Sequence, residues 1–322
     1  MREFTHINAT SVDEAVTALQ GGKAAVIAGG TDLIGTLRFY QLPDDLSPDV
    51  IVNLKTISPS LDYIKEEGGT LKIGACTRLE DIAKSDVVKG SWAALAEAAH
   101  STASPHIRES GTIGGNICQV NRCWYFRKVN NRFDCIRKGG GMCYAAAGDN
   151  RYHSIFGGMM GCVAVNPSDT APALVALNAT IVTSNRSIAA ADFWDCAIPG
   201  STVLESDEIV TEIQVPAFSG KSAFVKFALR KSIDFPVVNC AAAISGSNAS
   251  ICLNAVYNKP YKATKAEEAI AGQSITAETA EAAGAEAVSG AVAMPANGSN
   301  PGNKWKIQIA KAMVKKALLA CA

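Results

Sequence analysis

Apolar positions change period several times within the first 55 residues. Val12, Ala15, Val16 and Leu19 recur at helical spacing behind Ser11, with Asp13 and Glu14 in the first turn and Gly21-Gly22 beyond, which predicts a helix capped at Ser11. Ala24 to Ala28 is a short apolar run that predicts a strand leading into Gly29-Gly30-Thr31-Asp32. Leu33, Ile34 and Leu37 resume helical spacing, and residues 49–53 predict a second strand, so residues 1–55 form a βαβ-like unit.

Residues 56–217 are mixed. A hairpin is predicted at 61–65 and 71–75, a helix at 92–99, and regular structure again at 169–176 and at the strand 180–183. Residues 121–163 break this pattern, being rich in Cys, Arg, Asn and Gly with neither period. A structureless stretch of that length inside a domain implies that something else orders it. Residues 218–322 predict a separate α+β module: three strands (223–229, 237–245, 250–256), then helices at 263–271, 276–290 and 303–320, with 291–303 as a flexible connection.

Thirty basic side chains balance thirty acidic ones, which gives no sign of a nucleic-acid partner or a membrane-surface partner. No apolar run reaches the ~18 residues of a membrane span, and Met1 to His6 contain no apolar signal core. A cytoplasmic protein is expected. Ten cysteines exceed what packing needs, and in a reducing compartment they point to a metal centre rather than to disulfides.

Two glycine turns carry candidate chemistry. Consecutive glycines at a strand end let backbone N–H groups approach an anion, because no Cβ stands in the way. Gly29-Gly30, with the Thr31 hydroxyl alongside and a helix start following, suits a pyrophosphate; a plain tight turn is the other reading. Its spacing matches neither GxGxxG nor GxxxxGK[ST], which disfavours a nicotinamide-binding Rossmann domain and a P-loop NTPase. A second turn, Thr112-Ile113-Gly114-Gly115-Asn116, would let one extended dinucleotide be gripped from both sides.

Cys123, Cys135, Cys143 and Cys162 all fall in the aperiodic stretch, at intervals of 12, 8 and 19 residues. Soft thiolates suit zinc or iron–sulfur clusters, and the lack of a Cys-x-x-Cys pair argues against a usual structural zinc site. Scattered free cysteines are the alternative. Cys76, Cys196, Cys240, Cys252 and Cys321 sit among apolar neighbours and read as core or surface residues. The histidines at 6, 100, 106 and 153 form no nucleophile-and-base set, so hydrolysis has no support. His100 reads as a helix-end residue, and His153 as a neighbour of the thiols rather than a ligand.

In their order and spacing, Ile27 to Leu33, Ile73 to Thr77, Thr112 to Asn116, Ser168 to Ala173, and Lys226 with Asp234 to Val237 resemble the FAD-binding subunits of molybdenum hydroxylases, the xanthine, carbon monoxide and aldehyde dehydrogenases. The resemblance covers nearly the whole chain. It implies an α+β architecture, a flavoprotein fold of the vanillyl-alcohol-oxidase and CO-dehydrogenase type with two subdomains (1–55 and 56–217) followed by a C-terminal domain (218–322). It further implies that Ile27, Ala28, Gly29, Gly30, Thr31, Asp32 and Leu33 hold the FAD pyrophosphate, and that Thr112, Gly114, Gly115 and Asn116 complete that grip. Asp169 would bind a hydroxyl on the adenosine side, and Thr102 and Lys226 would lie near the cofactor. Without the resemblance, Asp169 is an ordinary helix-start carboxylate and Lys226 a solvated strand residue.

A subset of this family, including 4-hydroxybenzoyl-CoA reductase and a group of bacterial aldehyde oxidoreductases, carries a [4Fe-4S] insertion after the second glycine turn. Asn121-Arg122-Cys123 resembles its start, which implies Cys123, Cys135, Cys143 and Cys162 as ligands, with Cys118 a substitute. The implied partners are a large subunit with the molybdopterin cofactor, a small subunit with [2Fe-2S] clusters, and a soluble carrier such as ferredoxin, a quinone or NAD. Two rival readings are a free-standing FAD-dependent reductase and a zinc-stabilised scaffold without redox activity.

Overall fold

A computed structural model describes residues 1–322 except 196, 197, 199, 297 and 299, so Cys196 lies outside the described residues. The first sheet is parallel. Strands β1 (Thr5–Asn8), β2 (Ala24–Ile27) and β3 (Val50–Asn53) lie in the order β1-β3-β2, crossed by helices α1 (Val12–Gln20) and α2 (Leu33–Arg38). The Ser11 hydroxyl caps α1 by accepting the Glu14 N–H at 3.1 Å. Strand β1, polar at three of its four positions and mostly exposed, lies outside the predicted elements.

The second sheet is antiparallel, with β4 (Ile64–Glu67), β5 (Thr70–Gly74), β6 (Thr180–Thr183), β7 (Ser187–Ala189) and β8 (Val210–Val215) in the order β4-β5-β8-β6-β7. Gly68 and Gly69, both at positive φ, close the β4–β5 hairpin, a conformation residues with a Cβ resist. Ile73, Ile213 and Ile181 stand side by side across β5, β8 and β6, and all three are fully buried. Each such side chain contributes about 2 kcal/mol of burial. Helices α3 (Leu79–Lys84), α4 (Asp86–Ser91), α5 (Ala93–His100), α6 (Pro105–Arg108) and α7 (Ile113–Cys118) follow β5 and help enclose this core around Trp92, Phe193 and Trp194.

Residues 121–163 form only two 3-10 turns (Val129–Asn131 and Ile136–Lys138) and one helical turn, α8 (Tyr144–Ala147). Helices α9 (Thr170–Ala176) and α10 (Ala190–Phe193) then rejoin the second core.

The third sheet has four strands, not the three expected: β9 (Lys221–Phe227), β10 (Val238–Ser245), β11 (Asn248–Asn254) and a two-residue edge, β12 (Tyr261–Lys262). Helices α11 (Thr264–Ala269), α12 (Ala277–Ala287) and α13 (Lys304–Ala320) cover it, and Ile155 from the cysteine-bearing stretch is buried in the same core. The connection 291–303, expected to be flexible, is tied down where it is described. Val292 donates to the Ile155 carbonyl at 2.7 Å, and Asn300 Nδ2 to that of Gly148 at 2.6 Å. No helix among the described residues is long and apolar enough to cross a membrane.

Candidate functional site

Strand β2 delivers its end into the first glycine turn. Gly30 adopts φ +70°, which glycine alone takes without strain. The N–H groups of Gly29, Gly30, Thr31 and Asp32 donate to no acceptor among the described residues. Successive unpaired amides of this kind form an anion-binding concavity.

The second turn is built differently. Thr112 caps α7 by accepting the Gly115 N–H at 3.2 Å, Gly114 donates to Ala75 at 2.9 Å, and Ile113 donates to Thr77 at 2.9 Å. Its amides anchor α7, and what it offers outward is a bare glycine edge. The first turn packs against the Ser110-Gly111 segment that leads into the second. A Cβ on Gly29 would stand 2.0 Å from the Ser110 carbonyl oxygen, and one on Gly114 would stand 2.7 Å from that of Ala75. Glycine at 29 is therefore a condition for that close approach.

Two chambers open on either side of this contact. One, of about 310 Å³, is largely apolar, lined by Val26, Ala28, Leu54, Cys118, Val120 and Ile209 among others. The other, of about 240 Å³, is more polar and includes Thr102, Arg122, Asn116, Asp169 and Phe235. Thr31, Asp32, Thr112, Gly115 and Gln119 line both, so an elongated ligand with a charged middle and two dissimilar ends fits the pair.

At the floor of the polar chamber, Lys226 on β9 and Asn239 on β10 are cross-strand neighbours and converge on Asp169. Lys226 Nζ donates to Asp169 at 2.7 Å and to the Ser101 carbonyl at 2.9 Å, and Asn239 Nδ2 donates to Asp169 at 2.8 Å. Burial pushes the Asp169 carboxyl pKa up, and these two donors oppose the rise. Lys226 is thus a buried partner, not a solvated strand residue. Asn116 turns its oxygen to the Ser168 and Thr170 hydroxyls at 2.5 and 2.7 Å, which locks α7 to α9. Thr102 is fixed by Arg108, which donates to its carbonyl at 3.0 Å and to Glu80 at 2.7 Å.

Residues 2–218 match the FAD binding domain in molybdopterin dehydrogenase, and residues 223–321 match the CO dehydrogenase flavoprotein C-terminal domain. The chain is 31% identical to the aldehyde oxidoreductase FAD-binding subunit of Escherichia coli, over 83% of this chain and 86% of that one. It is 29% identical to the nicotinate dehydrogenase FAD-subunit of Eubacterium barkeri, over 88% and 84%. In structure it superposes on carbon monoxide dehydrogenase of Hydrogenophaga pseudoflava with a TM-score of 0.74 and 28% identity, covering 99% of this chain and 97% of the other. The chain belongs to the FAD-binding subunits of the molybdopterin dehydrogenases. The joined chambers fit the group that defines this family, with unpaired amides at the middle for a diphosphate.

Beyond the chambers of this FAD subunit, the cysteine-bearing stretch gathers its thiols in a basic environment. Cys123 lies within electrostatic reach of Cys162 and Cys135, and Cys135 within reach of Cys162 and Cys143. Cys123 accepts the N–H groups of Phe126 and Tyr125, and Cys135 that of Arg137. Cys162 accepts Arg137 Nε at 3.0 Å and the Ala164 N–H at 3.4 Å. Burial pushes the Cys123 thiol up to about 12 and Cys135 in the same direction, so without a metal these thiols stay protonated.

Arg137 and Lys138 are buried beside the thiols. Among the described residues, no three His, Cys, Asp or Glu side chains are close enough to share one metal ion. Buried cations and N–H donors aimed at sulfur suit thiolates that carry negative charge.

His153 Nε2 lies 3.2 Å from Cys123 Sγ, while Nδ1 has no partner among the described residues. Burial, aided by the Lys306 charge, pulls this imidazole down to about 4, so it is neutral near pH 7. An unpaired lone pair costs less than an unpaired N–H, which puts the proton on Nε2, aimed at the sulfur.

Several site residues escaped the sequence reading. Arg122 and Arg127 both pair with Asp32 across some ninety positions, and no local pattern announces that. Asn239 and Lys306 did leave a signal: each is a polar residue on an otherwise apolar stripe. Lys306 shares the buried face of α13 with Ala310, Met313 and Val314. Its ammonium is fully buried against the carbonyls of Tyr152, His153 and Ala255, at 3.0, 3.0 and 2.5 Å.

Proposed function

We propose that this chain is the electron-transferring subunit of a heteromeric molybdenum hydroxylase, holding FAD in the joined chambers and a [4Fe-4S] cluster on Cys123, Cys135, Cys143 and Cys162. The observation that carries the reading is the row of unpaired amides at Gly29 to Asp32 where the two chambers meet. Those amides and the Thr31 hydroxyl bind the diphosphate, and Ile27, Ala28 and Leu33 wall it. Thr112, Gly114 and Gly115 would close the opposite side. Asp169, braced by Lys226 and Asn239, presents a carboxylate in the polar chamber beside Thr102 and Asn116 and orients the hydroxyl-bearing part of the ligand there.

Bound FAD supplies exchange of one or two electrons, and for that the protein needs no nucleophile of its own. Arg137, Lys138 and the N–H donors around the four sulfurs stabilise the negative charge of a thiolate-bound cluster. Arg122 lines the polar chamber and is bonded directly to Cys123, so the two cofactor sites adjoin. A large molybdopterin-bearing subunit would meet the organic substrate, a small [2Fe-2S] subunit would relay electrons, and a soluble carrier in the cytoplasm would exchange them.

Anaerobic purification tests the reading. Flavin and one cubane's worth of iron per chain, co-purifying with two further subunits, are expected. Zinc in place of iron, no flavin, or a stable monomer with turnover of its own overturns it.

A further inference from the structure

Helix α2 directly follows the first glycine turn and is poorly anchored by its own residues. It is six residues long, contains Gly35 and buries only Thr36 and Leu37. Its N-cap Asp32 makes no capping bond, because the carboxylate points outward to Arg127, at 2.7 and 3.2 Å, and to Arg122, at 3.0 Å. At the other end of α2, the Phe39 carbonyl accepts the Asn130 N–H at 2.9 Å. Asn130 and Asn131 both take positive φ there, a backbone state that asparagine tolerates better than most residues. Arg127 also donates to the Val120 carbonyl at 2.9 Å, which ties the grip back to the segment after α7.

Arg122, Arg127 and Asn130 all belong to the cysteine insertion. The insertion therefore clamps α2 at both ends, and the unpaired amides of Gly29 to Asp32 immediately precede that helix. We propose that the cysteine insertion positions the flavin cradle, with Arg127 as the principal positioning residue, so that FAD affinity depends on the insertion being ordered. This rests on the two-cofactor reading above. With so little regular structure, the insertion takes its order from whatever its thiols hold. When the thiols are empty, the clamp slackens, α2 shifts, and the amides no longer converge. Linkage makes the effect reciprocal: bound FAD tightens the binding of iron by the same factor.

The test is a double cycle on the full complex, reading FAD dissociation constants by flavin fluorescence with and without iron, in wild type and in Arg127→Met. In wild type, anaerobic removal of iron weakens FAD roughly tenfold, and Arg127→Met alone does about the same. In Arg127→Met, iron removal adds less than about twofold, because the link is already cut. Arg127→Lys, which keeps the charge but loses the two-pronged grip, falls between and guards against a variant that fails to fold. Equal losses in both backgrounds, or an FAD affinity indifferent to iron, overturn the proposal. A chain that binds neither cofactor sinks the functional reading and this inference with it, whereas one that binds both without coupling sinks only the inference.

Discussion

The flavin cradle and the cysteine insertion lie next to each other and are built on opposite principles. The cradle is made of backbone at the ends of regular elements, and each carboxylate beside it has a cationic partner: Asp169 with Lys226, Glu80 with Arg108, and Asp32 with Arg122 and Arg127 of the insertion. The insertion is made of side chains on irregular backbone, and it sets the buried Arg137 and Lys138 beside its thiols. Lys306, on α13 beneath it, donates to three carbonyls, and burial pulls its pKa down to about 7. Regular elements fix the cradle, whereas the insertion, with few elements of its own, depends on its side chains.

The sharpest way to break this contrast is Cys162→Ser. Metal binding of this kind is worth on the order of 10 kcal/mol of folding, so iron should be lost outright and the 121–163 stretch should become the first site of limited proteolysis. The main thermal transition, which reports the sheets, should move far less. If the insertion stays protected without iron, the contrast is wrong.

Glu80→Gln attacks the cradle side, since it strands Arg108, whose side chain is only 7% exposed, beneath Thr102. A loss of about 3 kcal/mol is expected in denaturant unfolding, together with weaker flavin retention. Gly29→Ala forces a methyl against the Ser110 carbonyl and should cost about 2 kcal/mol, with flavin content falling more than iron content.

The smallest effect concerns acid. Burial raises the Asp32 carboxyl pKa, but Arg127 and Arg122 outweigh it and hold it below the usual 3.8. A depressed carboxylate pKa stabilises the fold fully above the unfolded value, and that contribution fades as pH falls below 3.8. Flavin release on acidification should therefore come earlier in wild type than its other carboxylates alone would bring it, and Asp32→Asn should flatten that part of the release curve.

The parts of the fold encoded by nearest neighbours were legible. Helix α1 with its Ser11 cap, the β4–β5 hairpin and α13 all follow from spacing and turn residues, as do both glycine turns. Strand β8 does not alternate cleanly, since Thr211 and Glu212 are both polar, and its place is set by Leu71, Ile73 and Ile181 on neighbouring strands. The candidate site divides in the same way. The glycine turns and the four cysteines are visible as residue types at spacings, whereas the Arg122 and Arg127 grip on Asp32 exists only once distant segments meet. That the second turn's amides serve α7 rather than the cavity could not be read either, since Ala75 and Thr77 accept them from another part of the chain.

The last stretch of the insertion rests on residues far downstream. Asn258 donates to the Cys162 and Ala164 carbonyls, Asn303 to those of His153 and Ser154, and Lys306 fills the space beneath them. A ribosome has made all four cysteines by residue 162, but this floor emerges only with α13. Nascent chains fold from their leading end as they are made, so here the first-made flavin subdomain can settle early. The floor beneath the thiols is complete only once Asn303 and Lys306 have been made.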